Sequence, residues 1–358
     1  MQLTENVVRY RFKGVHKNNN GDVVAPNRVI AKVSRVEVAT PFLCPAPPKM
    51  LDSLVASGAL TAEEAALAVG LPVATDVIAE GDSGGHTDQR PTTVLLPIML
   101  QLRDKIAMEH GYCMATTPRI GAAGGLGSPT SIWSVFSAGA DFVVTGSINQ
   151  CTPEAGTSDA VRDLLSKATS TDVDVGPAPD MFELGAHVQV LSRGTMYAKR
   201  GERLYEIYRK YASMDEIDPK ERARIEKQIF KRPLKEVWEG TAAFWAERDP
   251  TQVERAERDP RHKMALTFRW YLGMTSRWAR MGEKDRKRDY QIWCGPAMGG
   301  FNAWVAGSWL EPVEARGVAD IAHALLQGTA ALARVSSAKS LGVVLPLGAT
   351  SVAVAERS

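Results

Sequence analysis

Apolar and polar positions fall into two textures along this chain. Up to about Thr157, short apolar runs end in glycine-rich loops and then give way to helical periodicity. The run NRVIAKVSR, Asn27–Arg35, is rich in β-branched residues and predicts a buried strand. Further strands are predicted over Ala74–Ala79, at the start of RIGAAGGLGSP, and over Ala140–Val144. Helices are predicted over Asn6–Arg11, over Thr92–His110, and from Pro129 just after a Ser128 cap. Met50–Gly70 reads as one or two helices, with a cap at Thr61 followed by Glu63 and Glu64. HKNNNGD is a polar turn, and Val36–Thr40 fits helix or strand. Pro41, Pro45, Pro47 and Pro48 predict irregular chain after it. Strand, glycine loop and helix recur at least three times in succession, which predicts a parallel α/β architecture.

Beyond Thr157 the pattern changes to densely charged helical stretches, including GERLYEIYRKYASM and DPKERARIEKQIFKRPLKEVWEGTAAFWAERD. The expected organisation is an α/β domain over 1–157 with a helical insertion at about 44–72, then a mostly helical domain over 158–335. The tail, 336–358, is broken by Gly and Pro and reads as a loose terminus.

Composition narrows the function classes. The 358 residues carry a net charge of only +2, which gives nucleic-acid binding no global electrostatic support. The positive charge is concentrated: Arg193–Asp289 holds roughly 25 basic against about 17 acidic residues. Such a stretch is either a solvated helical face or a dock for an acidic partner. The four cysteines, Cys44, Cys113, Cys151 and Cys294, form no CxxC pair, so no metal site is expected, and they fit a reducing cytoplasm. MQLTENVVRYRFKG does not read as a signal peptide, and no apolar run is long enough to predict a membrane span.

The candidate chemistry lies in the glycine loops, all at C-terminal ends of predicted strands, the edge where parallel α/β folds gather ligand-binding groups. GAAGGLG, Gly121–Gly127, offers bare backbone followed by a helix N-terminus, a good phosphate cradle. Gly146 and Ser147 in VTGSINQ offer a second set of donors one unit later. Two such loops about 20 residues apart fit the phosphate site after the last two strands of a (β/α)8 barrel. A dinucleotide-binding Rossmann domain fits less well, because GAAGGLG does not match GxGxxG and Asp141 begins the next strand rather than ending it. Lys32, inside VIAKVSR, is either a cation facing an electron-rich ring or phosphate, or a snorkelling lysine on an edge strand. AEGDSGGHTDQRP places His86 after two glycines, as a reacting group or as a hydrogen-bonded turn residue. Asp82 and Asp88 read as loop support.

GDSGGHTD, RIGAAGGLGSP and GADFVVTGSINQ, in this order, resemble the FMN-dependent barrel family of nitronate monooxygenases and flavin enoyl reductases. More narrowly, VVAPNRVIAKVSR, EAGTSDAVRDLL, PDMFELGAHVQVLSRGTMY, HKMALTFRWYLG and DYQIWCGPAMGGFNAWV resemble the enoyl reductase subunit of polyunsaturated fatty acid synthases and the trans-acting enoyl reductases of polyketide synthases. The resemblance runs to about Val335. It implies FMN with its phosphate on Gly124, Gly125, Gly146 and Ser147, and Lys32 near the edge of the flavin ring. It also implies that Gly84 and Gly85 give clearance for a flat ring and that His86 polarises or protonates substrate. NADPH would be the reductant, an enoyl thioester on an acyl carrier protein the substrate, and a proton would reach the α-carbon. Nitronate oxidation is the alternative chemistry, and a non-catalytic subunit the alternative class. Family members carry further βα units ahead of the segment matching Met1. The expectation is therefore the C-terminal half of a TIM barrel, about four parallel strands, followed by a mostly helical domain. The first half would come from a companion chain or from upstream of a misassigned start, or the gene is broken.

Overall fold

The computed structural model describes residues 2–86 and 88–356. Met1, ahead of which the resemblance places further βα units, lies outside the described residues. The chain divides into two compact units, one of residues up to 83, 88–146 and 324–355, the other of 84–86 and 147–323.

The first unit is built on a four-stranded parallel sheet of Ile30–Val33, Asp76–Glu80, Arg119–Ala123 and Phe142–Val144, in chain order across the sheet. Register is continuous: Lys32 pairs with Ile78, Ile78 with Gly121, and Gly121 with Phe142. Sequential parallel neighbours joined through helices are consecutive units of a (β/α)8 barrel, in the number expected. Strand alternation decides what each face does. Ala31, Val33, Val77, Ala79, Ile120 and Ala122 are all buried on one face. The helices Val36–Leu43 and Thr92–His110 pack against the sheet. The opposite face carries Ile30, Lys32, Ile78, Glu80 and Val144, with Ile30 59% exposed. Phe142 lies on this face across Gly121, where a β-carbon would sit 2.3 Å from its ring. A short antiparallel pair, His16–Lys17 with Val23–Val24, brackets the expected polar turn.

Several helices form where expected. Thr92–His110 is helical over the whole span and ends on Gly111 at φ +66. Met50–Gly70 resolves into parts of two helices, Pro48–Ala56 and Ala62–Ala68. The second opens on a capping box in which Thr61 accepts from the Glu64 N–H. Ser128 caps Pro129–Ser137 in the same way through Ser131.

Three local expectations are corrected. The ambiguous stretch is helix, Val36–Leu43, and it continues through Pro41. An interior proline costs roughly 3 kcal/mol, but Phe42 and Leu43 are buried just beyond it, and each such side chain recovers roughly 1.5–3 kcal/mol. Pro48 does not prolong the irregular chain either: it opens a helix at its first turn, where the missing N–H is no loss. The predicted strand over Asn27–Arg35 is regular only at Ile30–Val33.

The second unit holds most of the charged helices. Its aromatic core gathers Phe182, Tyr197, Phe230, Phe268 and Tyr271 among aliphatic residues. It also contains a three-stranded antiparallel sheet that the sequence pattern does not predict. Gly85–His86 pairs with His187–Leu191, which pairs with Val173–Pro177. His86 therefore belongs to this unit, as part of a short strand, although in sequence it follows a strand of the first unit. The helix Val318–Ser340 extends into the segment expected to be a loose tail.

Candidate active site

In the first unit the C-terminal ends of the parallel strands present Lys32, Glu80 and the two glycine loops. Lys32 is half exposed, and its ammonium reaches Glu80 Oε1 at 2.7 Å. The Ser83 hydroxyl donates to the same oxygen at 3.1 Å. Lys32 is thus neither bare nor swallowed by the sheet; its charge emerges at the strand end against a carboxylate.

The loop after Arg119–Ala123 turns on two left-handed glycines. Gly124 has φ +92, and a β-carbon there would lie 2.6 Å from the Asp82 carbonyl oxygen and 2.8 Å from the Gly81 carbonyl carbon. Gly125, at φ +74, and Gly146 after the last parallel strand have nothing within 4 Å of the β-carbon position. Gly124 is therefore required by the protein's own packing. Gly125 and Gly146 leave free backbone at the strand ends, which suits a phosphate group.

Asp88 performs the supporting role expected of it. Its carboxylate accepts from Arg35 Nε and Nη2, each at 3.1 Å, and from the Ser34 hydroxyl. The Arg35 hydrogen bonds, then that of Ser34, hold its pKa below the ordinary carboxylate value. A carboxylate lowered by folding stabilises above its unfolded pKa, and the contribution vanishes as pH falls through the folded one. Asp88→Asn is thus expected to lower the thermal midpoint at neutral pH and to converge with the unmodified protein in acid, below the usual aspartate range. A gap that widened on acidification would contradict the assignment.

In the second unit His86 is held by a partner that its own sequence neighbourhood does not supply. Its Nε2 lies 2.9 Å from Asp180 Oδ1. Against an ionised carboxylate, Nε2 carries the hydrogen, leaving Nδ1 as the second functional nitrogen. His86 is 39% and Asp180 62% exposed at the side chain, so a substrate can reach the pair. The strand Val173–Pro177 delivers the Asp180 loop. That loop is pinned by the Ala178 N–H donating to the Ala186 carbonyl at 2.8 Å and by Arg269 Nε donating to the Pro179 carbonyl at 3.0 Å.

Trp293 completes the wall beside the histidine. Its ring centre is 6.0 Å from that of His86, edge-on at 70°. The segment carrying it runs along His187–Leu191, with the Leu191 N–H donating to the Ile292 carbonyl at 2.8 Å. The Trp293 carbonyl accepts from Gln150 Nε2. This arrangement explains the paired glycines before His86. Gly85, at φ +86, lies under the indole, with a β-carbon position 3.4 Å from it. At Gly84 a β-carbon would meet the Gly295 nitrogen at 2.8 Å and Ser147 Oγ at 2.9 Å. At both β-carbon positions the space is taken by the protein's own backbone, side chains and indole. Ser147 Oγ accepts from the Gly295 N–H at 2.9 Å, so its oxygen is engaged within the unit. Cys294 is no nucleophile: burial pushes its thiol up to about 12.

Asp180 had a usable signal, a lone acid in the proline-rich turn GPAPD. Trp293 sits in DYQIWCGPAMGG, which stands out as a motif but carries no chemical role that the sequence reveals.

The first unit, a four-stranded parallel sheet with glycine loops at its carboxyl edge, is α/β architecture of barrel type, and the second unit by itself carries a histidine–carboxylate pair suited to proton transfer. Among solved structures, the enoyl reductase domain of MlnA from the macrolactin biosynthesis cluster of Bacillus amyloliquefaciens is 38% identical, with a TM-score of 0.89. The match covers 94% of this chain and 75% of that one. One of the polyunsaturated fatty acid synthase polypeptides of Thraustochytrium sp. is 48% identical over 347 residues, 95% of this chain and 17% of that protein. Polyketide biosynthesis protein PksE of Bacillus subtilis is 46% identical over 332 residues, 93% of this chain and 43% of that protein. This chain thus spans under half the length of these curated relatives. Residues 211–290 match a family profile described as the inserted helical domain of [acyl-carrier-protein] S-malonyltransferase. The chain belongs to the enoyl reductase family of polyunsaturated fatty acid and polyketide synthases. Among the described residues, no helix is long and apolar enough to cross a membrane.

Proposed function

We propose that this chain carries the catalytic site of an FMN-dependent enoyl reductase that uses NADPH to reduce the α,β double bond of enoyl thioesters borne on an acyl carrier protein. The observation that carries this reading is the His86–Asp180 pair in a chain of this family. FMN, when bound, supplies the hydride relay from NADPH to the β-carbon. The open α-carbons of Gly125 and Gly146 fit its phosphate, with the Gly124 and Ser147 backbone beside them in sequence. Lys32 would offset negative charge on the ring, its own charge tempered by Glu80.

The remaining work falls to the chain's own groups. Asp180 holds the imidazole through Nε2 and stabilises its cationic form. Nδ1 of that imidazolium donates the proton that the α-carbon takes up, or hydrogen-bonds the thioester carbonyl as charge develops there. Gly84 and Gly85 act at one remove, by letting the Trp293 segment close against the strand that bears His86.

Two observations support a carrier-protein partner: the basic excess over Arg193–Asp289 and the profile matched at residues 211–290. The outer parallel strands, Ile30–Val33 and Phe142–Val144, each have one neighbour among the described residues, an arrangement that supports further strands pairing there from a companion chain. The chemistry is tested by offering the FMN-supplemented protein two substrates: crotonyl thioester with NADPH without oxygen, and an alkyl nitronate in air. Faster turnover of the thioester is expected. Turnover of the nitronate alone would replace the reductase reading with the oxidase one.

A further inference from the structure

We infer that the second unit contains a binding site for a phosphate ester, formed where three helical segments converge. A cavity of about 520 Å³ is ringed by Lys199, Arg200, Arg203, Arg224 and Arg288, with Glu221 as the one acid among its lining residues. Lys199, Arg200 and Arg203 come from the helix Tyr197–Lys210, where positions three and four apart share a face. Arg224 comes from Pro219–Ile225, and Arg288 from the 3-10 turn Lys284–Asp289. Basic residues on helices are ordinarily solvated, so their number alone argues little. Three further features point to an anion.

The first is an unbalanced charge. Glu221 is already paired with Arg203, and Asp289, 1% exposed, serves both Arg200 and Arg286 while accepting from the Tyr271 hydroxyl at 2.8 Å. Two guanidiniums thus share one buried carboxylate. Arg203 is further balanced by Glu206 at 2.8 Å, but Lys199, Arg224 and Arg288 form no ion pair among the described residues, so three cations of the lining are without a counter-charge. The second is a preorganised wall. The segment Glu226–Phe230 is a π-helical turn, a local form that recurs at functional sites. Arg286 fixes it by donating to the Ile229 and Phe230 carbonyls at 2.8 and 2.7 Å. Lys231, at φ +58, closes it by donating to the Asp285 carbonyl. The third is the floor. Ile225 and Ile229, 2% and 4% exposed, and Met196 give the cavity an apolar base.

A cavity of this size with convergent cations and an apolar base suits a phosphate on a small organic group better than a lone carboxylate, because phosphate offers three acceptor oxygens and up to two charges. Two sources carry that chemistry: the phosphopantetheine arm of a carrier protein, and a ribose phosphate of a dinucleotide. The inference does not depend on the reductase reading, since its test reads binding and not turnover.

Titration calorimetry of the full chain with 4′-phosphopantetheine, adenosine 2′,5′-bisphosphate and inorganic phosphate, with unphosphorylated pantetheine as control, decides it. At least one phosphorylated compound is expected to bind saturably, tenfold or more tighter than pantetheine. Lys199→Ala combined with Arg288→Ala is expected to weaken that binding tenfold or more; both side chains are exposed, so the fold is expected to survive. Preference for phosphopantetheine identifies the carrier arm as the source, and preference for the bisphosphate identifies the dinucleotide. Should the double variant melt early, protection of the Lys199 amine from acetylation by the bound compound reads the same contact in the unmodified protein. The inference is overturned by equal binding of pantetheine, by unchanged affinity in a folded double variant, or by no phosphate binding up to about 10 mM. Binding of an acidic carrier protein without its phosphate arm, in the absence of any phosphate effect, also overturns it.

Discussion

His86→Ala is expected to retain flavin and lose about 10²–10⁴-fold in enoyl thioester reduction, the range contributed by a positioned proton donor. The loss should appear in kcat at every pH, because the substituted side chain has no proton to give. Asp180→Asn tests the other half of the pair and should behave differently. Asparagine keeps a partner for Nε2 at the 2.9 Å position but replaces a charge-assisted hydrogen bond with a weaker neutral one. Asp180 is a positioning residue, so kcat should fall less than with His86→Ala. The loss should fall on kcat with KM little changed, because the variant loosens the imidazole without touching the substrate. Turnover of His86→Ala equal to that of the unmodified protein would remove the histidine from the mechanism. An unchanged kcat in Asp180→Asn would reduce the carboxylate to a surface contact.

The second large effect separates two glycines that look alike in sequence. Gly146→Ala enters open space, and Gly146 is not among the positive-φ glycines. The variant should fold normally yet lose tenfold or more in flavin affinity, because the new methyl group would stand over the backbone that a phosphate approaches. Gly124→Ala meets the Asp82 and Gly81 backbone at 2.6 and 2.8 Å in a left-handed conformation. The left-handed conformation alone costs about 1–2 kcal/mol, and the forced backbone shift adds to it, so this variant should be destabilised with or without flavin. Fluorescence titration with FMN, alongside melting curves, distinguishes them. Equal melting losses in both variants would mean that the Gly146 loop serves packing and not a ligand.

Much of the first unit was legible because its signals are local. β-Branched runs mark the parallel strands, capping residues such as Thr61 and Ser128 mark helix starts, and Gly111 marks a helix end. The proline-rich segment was misread because burial of Phe42 and Leu43 outweighs the cost of Pro41, a tertiary effect with no local sign. The small antiparallel sheet shows the limit more sharply. HVQVL has the alternation of a half-buried strand, but it pairs with Gly85–His86 about a hundred residues earlier, and a two-residue strand has no period to detect. The same long-range pairing places His86 beside Asp180, so each residue had a local signal, His86 its glycines and Asp180 its proline-rich turn, while their pairing had none. Those glycines stand out in the sequence, but the chain that packs against them does not. They make room for Trp293 and Gly295, residues more than two hundred positions away.

The central claim is most directly tested by an anaerobic two-step spectrum. The FMN-loaded protein should bleach near 450 nm on addition of NADPH, and crotonyl thioester should restore the absorbance. A protein that acquires no flavin bands, or one that bleaches and is recoloured by oxygen but never by the thioester, would contradict the assignment of this chain as an enoyl reductase.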